Sequence, residues 1–455
     1  MQTQIFMVHK RHLGLRAPTV LAVGFALTIL VGALVLMLPV SAADGQITPF
    51  LDALFTAASA SCVTGLVTVS TAVHWSVFGK CVILLLIQIG GLGFMSVAAI
   101  ASFVLRRTIT LHERMVMSAG LNLSDGGGIV RLTRRVLFGT FIIEGTGAVL
   151  LSCRFVPHYG FPKGITMGVF HAVSAFCNAG FDLMGTPDDP FQSLIGWAED
   201  PLVNITLMAL IVLGGLGFFV WSDVWDKHSF CRLRLHTKIV LTATAGLLLF
   251  GFGWTLLFEW SNPATLGAFD TPHKLLAAAF ESVTLRTAGF NTVDLSKLSD
   301  SGNLLTDFLM LIGGSPGSTA GGIKTTTLAV LVLSALASAR GRMRVNTFRM
   351  SIERETLRQA SSILLIYLGM SLTAIMAICA IEPFGLKAVT FEVVSAIATV
   401  GLSLGLTPRL SAASRAILIL LMYAGRIGGL SFVLLFSERR SEPPLDRPTG
   451  KILIG

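Results

Sequence analysis

Four short segments of this chain combine small or hydroxyl residues with a glycine that is followed by Leu or Phe. They occupy residues 59–66, 174–181, 283–290 and 395–402, and their glycines lie 115, 109 and 112 residues apart. A dehydrated potassium ion is held when several backbone carbonyl oxygens replace its water at once. Glycine adopts the backbone angles that aim consecutive carbonyls at one axis without the steric penalty of a Cβ. The spacing therefore predicts one cation filter assembled from four loops.

In each segment, the glycine and the two residues before it are the predicted ion-binding residues. They are Val63, Thr64, Gly65, Asn178, Ala179, Gly180, Thr287, Ala288, Gly289, Thr399, Val400 and Gly401. A simpler interpretation is that these glycines only let helices pack closely, as small residues do in membrane proteins. Four matched glycines in the same context favour the filter. None of the loops contains Gly-Tyr-Gly, which predicts looser selectivity than that of ordinary potassium channels.

The elements that must position these loops are read from the apolar runs around them. Each segment is preceded by an apolar span (17–40, 136–156, 238–258 and 360–381) and followed by another (76–104, 202–222, 303–338 and 412–436). The stretch just before each glycine is too short to cross a bilayer, which takes about 20 residues. We interpret it as a half-spanning pore helix whose chain returns as irregular backbone, which survives at that depth only where it lines a watery cavity.

The predicted fold is an all-α membrane protein of four helix–pore loop–helix repeats. Eight full spans and four half-spanning pore helices would surround one pore with pseudo-fourfold symmetry. The expected boundaries are repeat 1 at 1–105, repeat 2 at 106–235, repeat 3 at 236–358 and repeat 4 at 359–437, with a cytoplasmic tail at 438–455.

Composition and charge distribution support a membrane location. Only 13% of residues are charged and 53% are hydrophobic, whereas soluble domains carry about 25% charged residues. On the side that holds both termini, Lys and Arg outnumber Asp and Glu by 23 to 9. The positive-inside rule then places both termini in the cytoplasm of a multi-pass protein in the plasma membrane. The basic excess is explained by topology, so nucleic-acid binding is not expected.

The second span of the third repeat, 303–338, is interrupted by the Gly- and Ser-rich stretch 313–327. An uninterrupted helix does not tolerate so many glycines and a proline. The stretch superficially resembles a phosphate-binding loop, but Ile323 separates Gly322 from Lys324 and no βα unit surrounds it. We therefore reject nucleotide binding there.

Arg-Thr-Ala-Gly-Phe at 286–290 and Ala-Thr-Val-Gly-Leu at 398–402 carry a family resemblance. With the other two loops, they resemble the Ktr/Trk/HKT superfamily of potassium transporters over residues 17–436. The Trk branch carries two additional N-terminal spans, so the chain is more similar to the Ktr membrane subunit. The resemblance implies potassium uptake, often sodium-stimulated, by a homodimer docked on a cytosolic nucleotide-binding ring and surrounded by membrane lipid. Potassium, with sodium as a second candidate, would be substrate, and no cofactor is expected.

The resemblance also assigns a gate to the interrupted helix, below the filter. The gate residues are Gly313, Gly314, Ser315, Gly317, Ser318, Thr319, Gly321, Gly322 and Lys324, with Arg426 from the last span. A kink that serves only packing is the alternative for the loop, and a salt bridge to Glu144 is the alternative for Arg426.

Two further features are interpreted as structural. The Arg286 side chain should turn away from the filter, toward Glu281 or Glu392. The sequence Gly-Gly-Leu-Gly-Phe at 90–94 and 214–218, echoed by Gly-Gly-Leu-Ser-Phe at 428–432, is interpreted as close helix packing.

Two other functions are weighed against potassium uptake. A sodium-selective or sodium-coupled carrier could use the same scaffold. A membrane enzyme would need converging acid, base or metal ligands at membrane depth. The sequence offers only the isolated Glu144 there and scatters its six cysteines without metal-ligand spacing, so no enzyme is expected.

Overall fold

The computed structural model describes residues 17–93, 129–342, 344–429 and 432–433. These residues are predominantly helical, with one two-stranded hairpin, Asn346–Thr347 and Met350–Ser351. In chain order the helices are α1 Ala17–Leu36, α2 Phe50–Ser61, α3 Val77–Leu92, α4 Ile129–Tyr159, α5 Phe161–Phe176, α6 Pro201–Leu216, α7 Phe218–Lys227, α8 Leu235–Glu259, α9 Thr271–Thr284, α10 Asp300–Leu311, α11 Thr325–Ala339, α12 Arg354–Ile381, α13 Leu386–Ala398 and α14 Ala412–Ile427. The predicted tail 438–455 lies outside the described residues.

Four of the described helices, α1, α4, α8 and α12, are long and apolar enough to cross a membrane on their own. They cover the spans that were predicted to precede the glycine segments. Helix α1 ends at Leu36 rather than at residue 40, and Pro39 follows in a short 3₁₀ turn. Helix α4 begins at Ile129, seven residues before the predicted span, and carries three arginines in its first two turns.

Each long helix is followed by a short one, α2, α5, α9 or α13, of 12 to 16 residues. At about 1.5 Å per residue, such a helix is shorter than the ~30 Å hydrocarbon core. Each packs against the long helix before it. A buried phenylalanine anchors each of them: Phe55, Phe170, Phe280 and Phe391.

The helix that follows each glycine segment begins at a polar N-cap residue and packs on one of the short helices. The N-caps of α3, α6, α10 and α14 are Ser76, Asp200, Ser299 and Ser411, whose side chains accept backbone N–H bonds of the first turn. Such residues satisfy the free donors of a helix start. Helices α3, α6 and α10 each pack on the following short helix, and α14 packs on α2, the first one. The four short helices therefore lie within a closed circuit of contacts.

The predicted second spans 76–104, 202–222 and 412–436 run through glycines at which the structure ends a helix. Helix α6 ends just before Gly217, and α7 leaves at a bend of 93°. Helix α14 ends just before Gly428 and α3 just before Gly93; the rest of the predicted span 76–104 lies outside the described residues. These three glycines have φ of 95°, 94° and 82°, a left-handed conformation that glycine adopts readily. The expected close packing is found at Gly90, Gly91 and Gly214, where a Cβ would collide with a neighbouring helix or its C-cap residue, but the helix ends at Gly93, Gly217 and Gly428 were not predicted.

The second span of the third repeat is interrupted where this was predicted, but the C-terminal boundary of the interruption is shifted. Helix α10 ends at Leu311 and α11 begins at Thr325. The predicted stretch 313–327 is therefore a loop only up to Lys324, and its last three threonines form the first turn of α11. A backbone bridge between Ile312 and Ile323 closes the loop at its base.

Candidate functional site

The four glycine loops follow α2, α5, α9 and α13 with the same backbone pattern. Two residues before each glycine lies a residue in the left-handed region: Val63, Asn178, Thr287 and Thr399, with φ between 53° and 65°. The glycines Gly65, Gly180, Gly289 and Gly401 have φ of 98°, 69°, 81° and 92°. Left-handed angles are unfavourable for β-branched residues and persist only where the surroundings enforce them. The loops thus share one strained path.

The four loops meet one another in a ring. A Cβ placed on Gly65 would lie 2.6 Å from the carbonyl oxygen of Ala179, and one placed on Gly401 would lie 2.0 Å from that of Thr64. The same construction on Gly180 reaches Gly289 at 2.8 Å, and on Gly289 it reaches the oxygen of Val400 at 2.6 Å. Each loop therefore touches the next, and the fourth returns to the first. The structure brings all twelve predicted filter residues into this ring of loops.

Four hydroxyl groups on the short helices form hydrogen bonds that support the ring. This role was not predicted from the sequence. Ser59 Oγ and Ser395 Oγ accept the N–H groups of Gly65 and Gly401, at 3.0 and 3.1 Å. In the other two loops the hydroxyl donates to the carbonyl that follows the glycine: Ser174 to Phe181 and Thr284 to Phe290. The available signal was a hydroxyl six residues before three of the glycines and five before Gly289.

The loop 312–324 lies against the ends of several helices that lead to this ring. Thr319 Oγ1 donates to the carbonyl of Phe176, the last residue of α5, at 3.1 Å. A Cβ on Gly321 would lie 1.9 Å from Oγ1 of Thr399 in the fourth glycine loop. The N–H groups of Ser315 and Thr319 donate to Gly215 and Gly214 at the end of α6. Of the predicted gate residues, Thr319 and Gly321 therefore lie directly beside the ring.

Arg426 ties this loop to a distant helix end. Its guanidinium donates to the carbonyl oxygens of Thr319 and Gly90, and to that of Gly91 at 3.2 Å. The alternative salt bridge to Glu144 does not form. Glu144 accepts instead from Gln88 Nε2 at 3.1 Å and from the Cys177 thiol at 3.8 Å. Lys324 turns back within the loop and donates to the Ala320 carbonyl at 2.6 Å.

The expected partners of Arg286 were wrong. Its Nη2 donates to the carbonyl of Gly313 at 2.9 Å, at the base of the interrupting loop. The carboxylate of Glu392 is engaged by Ser403 and Thr407. A carbonyl freed by a helix interruption needs a donor, and Arg286 supplies it.

The part of the chain that the structure describes contains no group of three or more His, Cys, Asp or Glu side chains that could hold a metal ion. The groups that could meet a cation at the ring are the backbone oxygens of the glycine loops.

The sequence profile of a family described as TrkH, cation transport protein, matches residues 10–443. The chain belongs to this family. Among curated TrkH-family relatives, it is 40% identical over 441 residues to the potassium/sodium uptake protein NtpJ of Enterococcus hirae, covering 96% of each chain. It is 41% identical over 438 residues to the Ktr system potassium uptake protein B of Bacillus subtilis, again covering 96% of each.

The fold is also that of a TrkH-family structure. The potassium transporter TrkH from Vibrio parahaemolyticus superimposes with a TM-score of 0.71 over 94% of this chain and 86% of that one, at 16% identity. Membership confirms the resemblance that the glycine loops carried. A TrkH-family chain with several apolar spanning helices is a multi-pass membrane cation transporter. The relatives are transporters, which confirms the expectation that the chain is not an enzyme.

Proposed function

We propose that this chain takes up potassium ions across the plasma membrane through a single pore, whose filter is the ring of four glycine loops. The observation that carries the proposal is the matched backbone of the loops, left-handed two residues before the glycine and again at it, in a ring whose members touch. Such a path exposes main-chain oxygens toward a common axis, where they can replace an ion's water. The four short helices end at the ring, so their partial negative charge favours a cation there.

The four-repeat organisation and the topology belong to the same proposal. Each repeat would supply one long helix, one half-spanning helix, one glycine loop and one broken helix, around a pseudo-fourfold axis. Both termini would lie in the cytoplasm and the loops would enter from outside, as the charge distribution favours. The closed circuit of contacts from α14 back to α2 supports this arrangement.

The loop 312–324 would act as the gate below the filter. Support comes from its direct packing on the Phe176 carbonyl and on Thr399, and from the arginine that holds it to α3. The bonds of Ser315, Thr319 and Arg426 hold the loop, and each contributes about 0.5–3 kcal/mol, so the loss of any one shifts the balance toward withdrawal. A regulator would need to shift only this local equilibrium.

Sodium stimulation and a cytosolic partner are further parts of the proposal. One relative is described as a potassium/sodium uptake protein and another as part of a Ktr system. We infer that the chain forms a homodimer docked on a cytosolic nucleotide-binding ring, with sodium stimulating potassium entry.

Tracer uptake into liposomes that contain the purified chain tests the ion assignment. We expect external potassium to compete with sodium for entry, and potassium influx to exceed sodium influx. Sodium entry that potassium fails to reduce would identify a sodium-selective carrier instead. Growth rescue of a bacterium deficient in potassium uptake, with and without a regulatory partner, tests the same assignment in cells.

A further inference from the structure

One position behind the ring of glycine loops is occupied by a buried polar residue in each short helix. It is the residue that follows the buried phenylalanine: Thr56, His171, Glu281 and Glu392. All four are at most 2% exposed. Because a buried polar group is costly unless it is hydrogen-bonded, the partners of these four side chains indicate what the position does.

In two of the four helices this residue holds the chain that leaves the glycine loop. His171 Nε2 accepts the N–H of Leu183, three residues past Gly180, while its Nδ1 faces the Met167 carbonyl. Glu392 accepts from the hydroxyls of Ser403, two residues past Gly401, and Thr407. The position therefore provides an acceptor for the outgoing strand of the loop.

Thr56 and Glu281 make no such bond: the Thr56 hydroxyl has no hydrogen-bond partner among the described residues, and Glu281 is the ionisable residue of the two. Neither of its carboxylate oxygens has a hydrogen-bond partner among the described residues. On the outgoing strand of the same loop, the hydroxyl of Thr292, three residues past Gly289, is also fully buried and unpartnered. Counted from the loop glycine, Thr292 corresponds to Leu183 in the second loop. An acceptor and a hydroxyl are thus left without partners at the sequence positions that correspond to those where His171 and Glu392 make direct bonds.

A second carboxylate belongs to Glu259, the last residue of α8, the long helix against which α9 packs. Glu259 is itself satisfied. Its oxygens accept from the N–H and hydroxyl of Ser299, from Asn262 and from Thr265. The nearest arginine in sequence, Arg286, donates to the Gly313 carbonyl. Glu281 is therefore left without a basic side chain as hydrogen-bond partner among the described residues.

We propose that the Glu281 carboxylate and the Thr292 hydroxyl form a sodium-binding site behind the third glycine loop, separate from the filter. Protonation would remove the charge of Glu281 but would leave its oxygens without partners, whereas a cation is coordinated by several oxygens at once. One free carboxylate matches a monovalent ion, and oxygen ligands suit a hard cation. A bound sodium ion would join α9 to the segment that leaves the third glycine loop. His171 and Glu392 make the corresponding links in the second and fourth loops by direct hydrogen bonds. The inference rests on the proposed function in one respect, namely that sodium stimulates uptake.

Thermal unfolding of the purified full-length chain, at fixed saturating KCl, tests the site. Replacing N-methylglucamine chloride by NaCl should raise the melting temperature of the wild type by roughly 2–4 °C, as expected for a ligand that binds only the folded state. Glu281→Gln should abolish this rise. Thr292→Val should shift it to several-fold higher sodium concentration. Glu199→Gln, which removes an exposed carboxylate elsewhere, should keep the full rise.

Potassium influx into liposomes separates this inference from the proposed function. Glu281→Gln should still take up potassium but should lose its stimulation by sodium. Sodium-dependent melting and stimulation that both survive in Glu281→Gln would overturn the site while leaving potassium uptake intact. A wild type that shows the melting shift but no potassium uptake would refute the function and leave the site standing. A rise that follows pH rather than sodium would identify a proton as the occupant and overturn the proposal.

Discussion

Arg426 in α14 donates to the carbonyl oxygen of Thr319, in the loop that separates α10 from α11. The same guanidinium reaches Gly90 and Gly91 at the end of α3. An arginine presents several donors in a rigid fork, so one side chain can fasten the loop to a helix that lies more than 200 residues away in sequence. This fastening is the contact on which the gating proposal can be tested most directly.

Arg426→Gln should raise potassium flux in the absence of any partner. A hydrogen bond to a charged donor contributes about 1.5–3 kcal/mol, so its loss should shift the closed-to-open ratio by roughly 10- to 100-fold. Initial uptake rates into liposomes measure the change. Arg358→Gln, whose side chain is 79% exposed in α12, is the matched control and should leave the rate unchanged. A correctly folded Arg426→Gln that conducts less would contradict the gate.

Deleting residues 315–321 should have a stronger effect of the same sign. The deletion removes Thr319 and with it the bond to Phe176, together with the oxygen that Arg426 holds. Flux without a partner should exceed that of the wild type, and a partner should no longer regulate it. Reduced flux through a folded deletion variant would show that the loop supports the pore instead of obstructing it.

Gly65→Ser should lower the preference for potassium over sodium without preventing membrane insertion. A Cβ at this position would lie 2.6 Å from the Ala179 carbonyl oxygen, so the ring must widen. Gly405→Ser is a close control. Gly405 also has a positive φ, 82°, but a Cβ at this position would have no other atom within 4 Å. Paired influx measurements of both ions decide. Equal ion preference in Gly65→Ser and Gly405→Ser would count against the filter.

Ser59→Ala and Ser395→Ala should each loosen the filter. Each removes a hydroxyl that accepts the N–H of a filter glycine, and such a bond contributes about 0.5–1.5 kcal/mol. We expect potassium-over-sodium preference to fall by a few fold, measured by competition uptake. Ser61→Ala offers a control in the same helix, since the buried Ser61 hydroxyl has no partner among the described residues. An unchanged preference in both test variants would remove these hydroxyls from the filter's support.

Glu382, which follows α12, should make stability depend on pH. Hydrogen bonds from Ser411 and Ser414 lower the pKa of this carboxylate below its ordinary value of 4.5. The stabilisation is therefore complete above pH 4.5 and is lost as the pH falls through the lowered pKa. Glu382→Gln should reduce the melting temperature at pH 7, and the difference from wild type should shrink in acid. A difference that is constant with pH would exclude this linkage.

Sequence patterns located the glycine loops and the interruption near Gly313 because both depend on local composition. A left-handed backbone favours glycine, and a Gly- and Pro-rich stretch cannot continue a helix. The breaks at Gly93, Gly217 and Gly428 were missed, because a glycine in an apolar helix costs only about 1 kcal/mol and is equally compatible with packing. The structure brings the predicted filter residues together, while their role as ion ligands stays a prediction.

The partners of buried charges were harder to predict than the helices. Arg286 was expected to seek Glu281 or Glu392, since opposite charges attract, but it bonds the Gly313 carbonyl. Arg426 likewise prefers three carbonyls to Glu144. In both cases the acceptor is a main-chain oxygen exposed by a helix end or break, and such oxygens become visible only when the tertiary arrangement is known. The bracing role of Ser59, Ser174, Thr284 and Ser395 was hidden for the same reason.

The contact between Gly401 and the Thr64–Gly65 peptide joins residues 336 positions apart in the chain. During synthesis the ribosome delivers the first of these loops long before the last. Until the fourth loop arrives, three strained turns must wait in the bilayer without the neighbour that encloses them. On the proposed function, the permeation path would therefore be completed only when the fourth loop joins the first, and a chain truncated before residue 395 would leave the ring open.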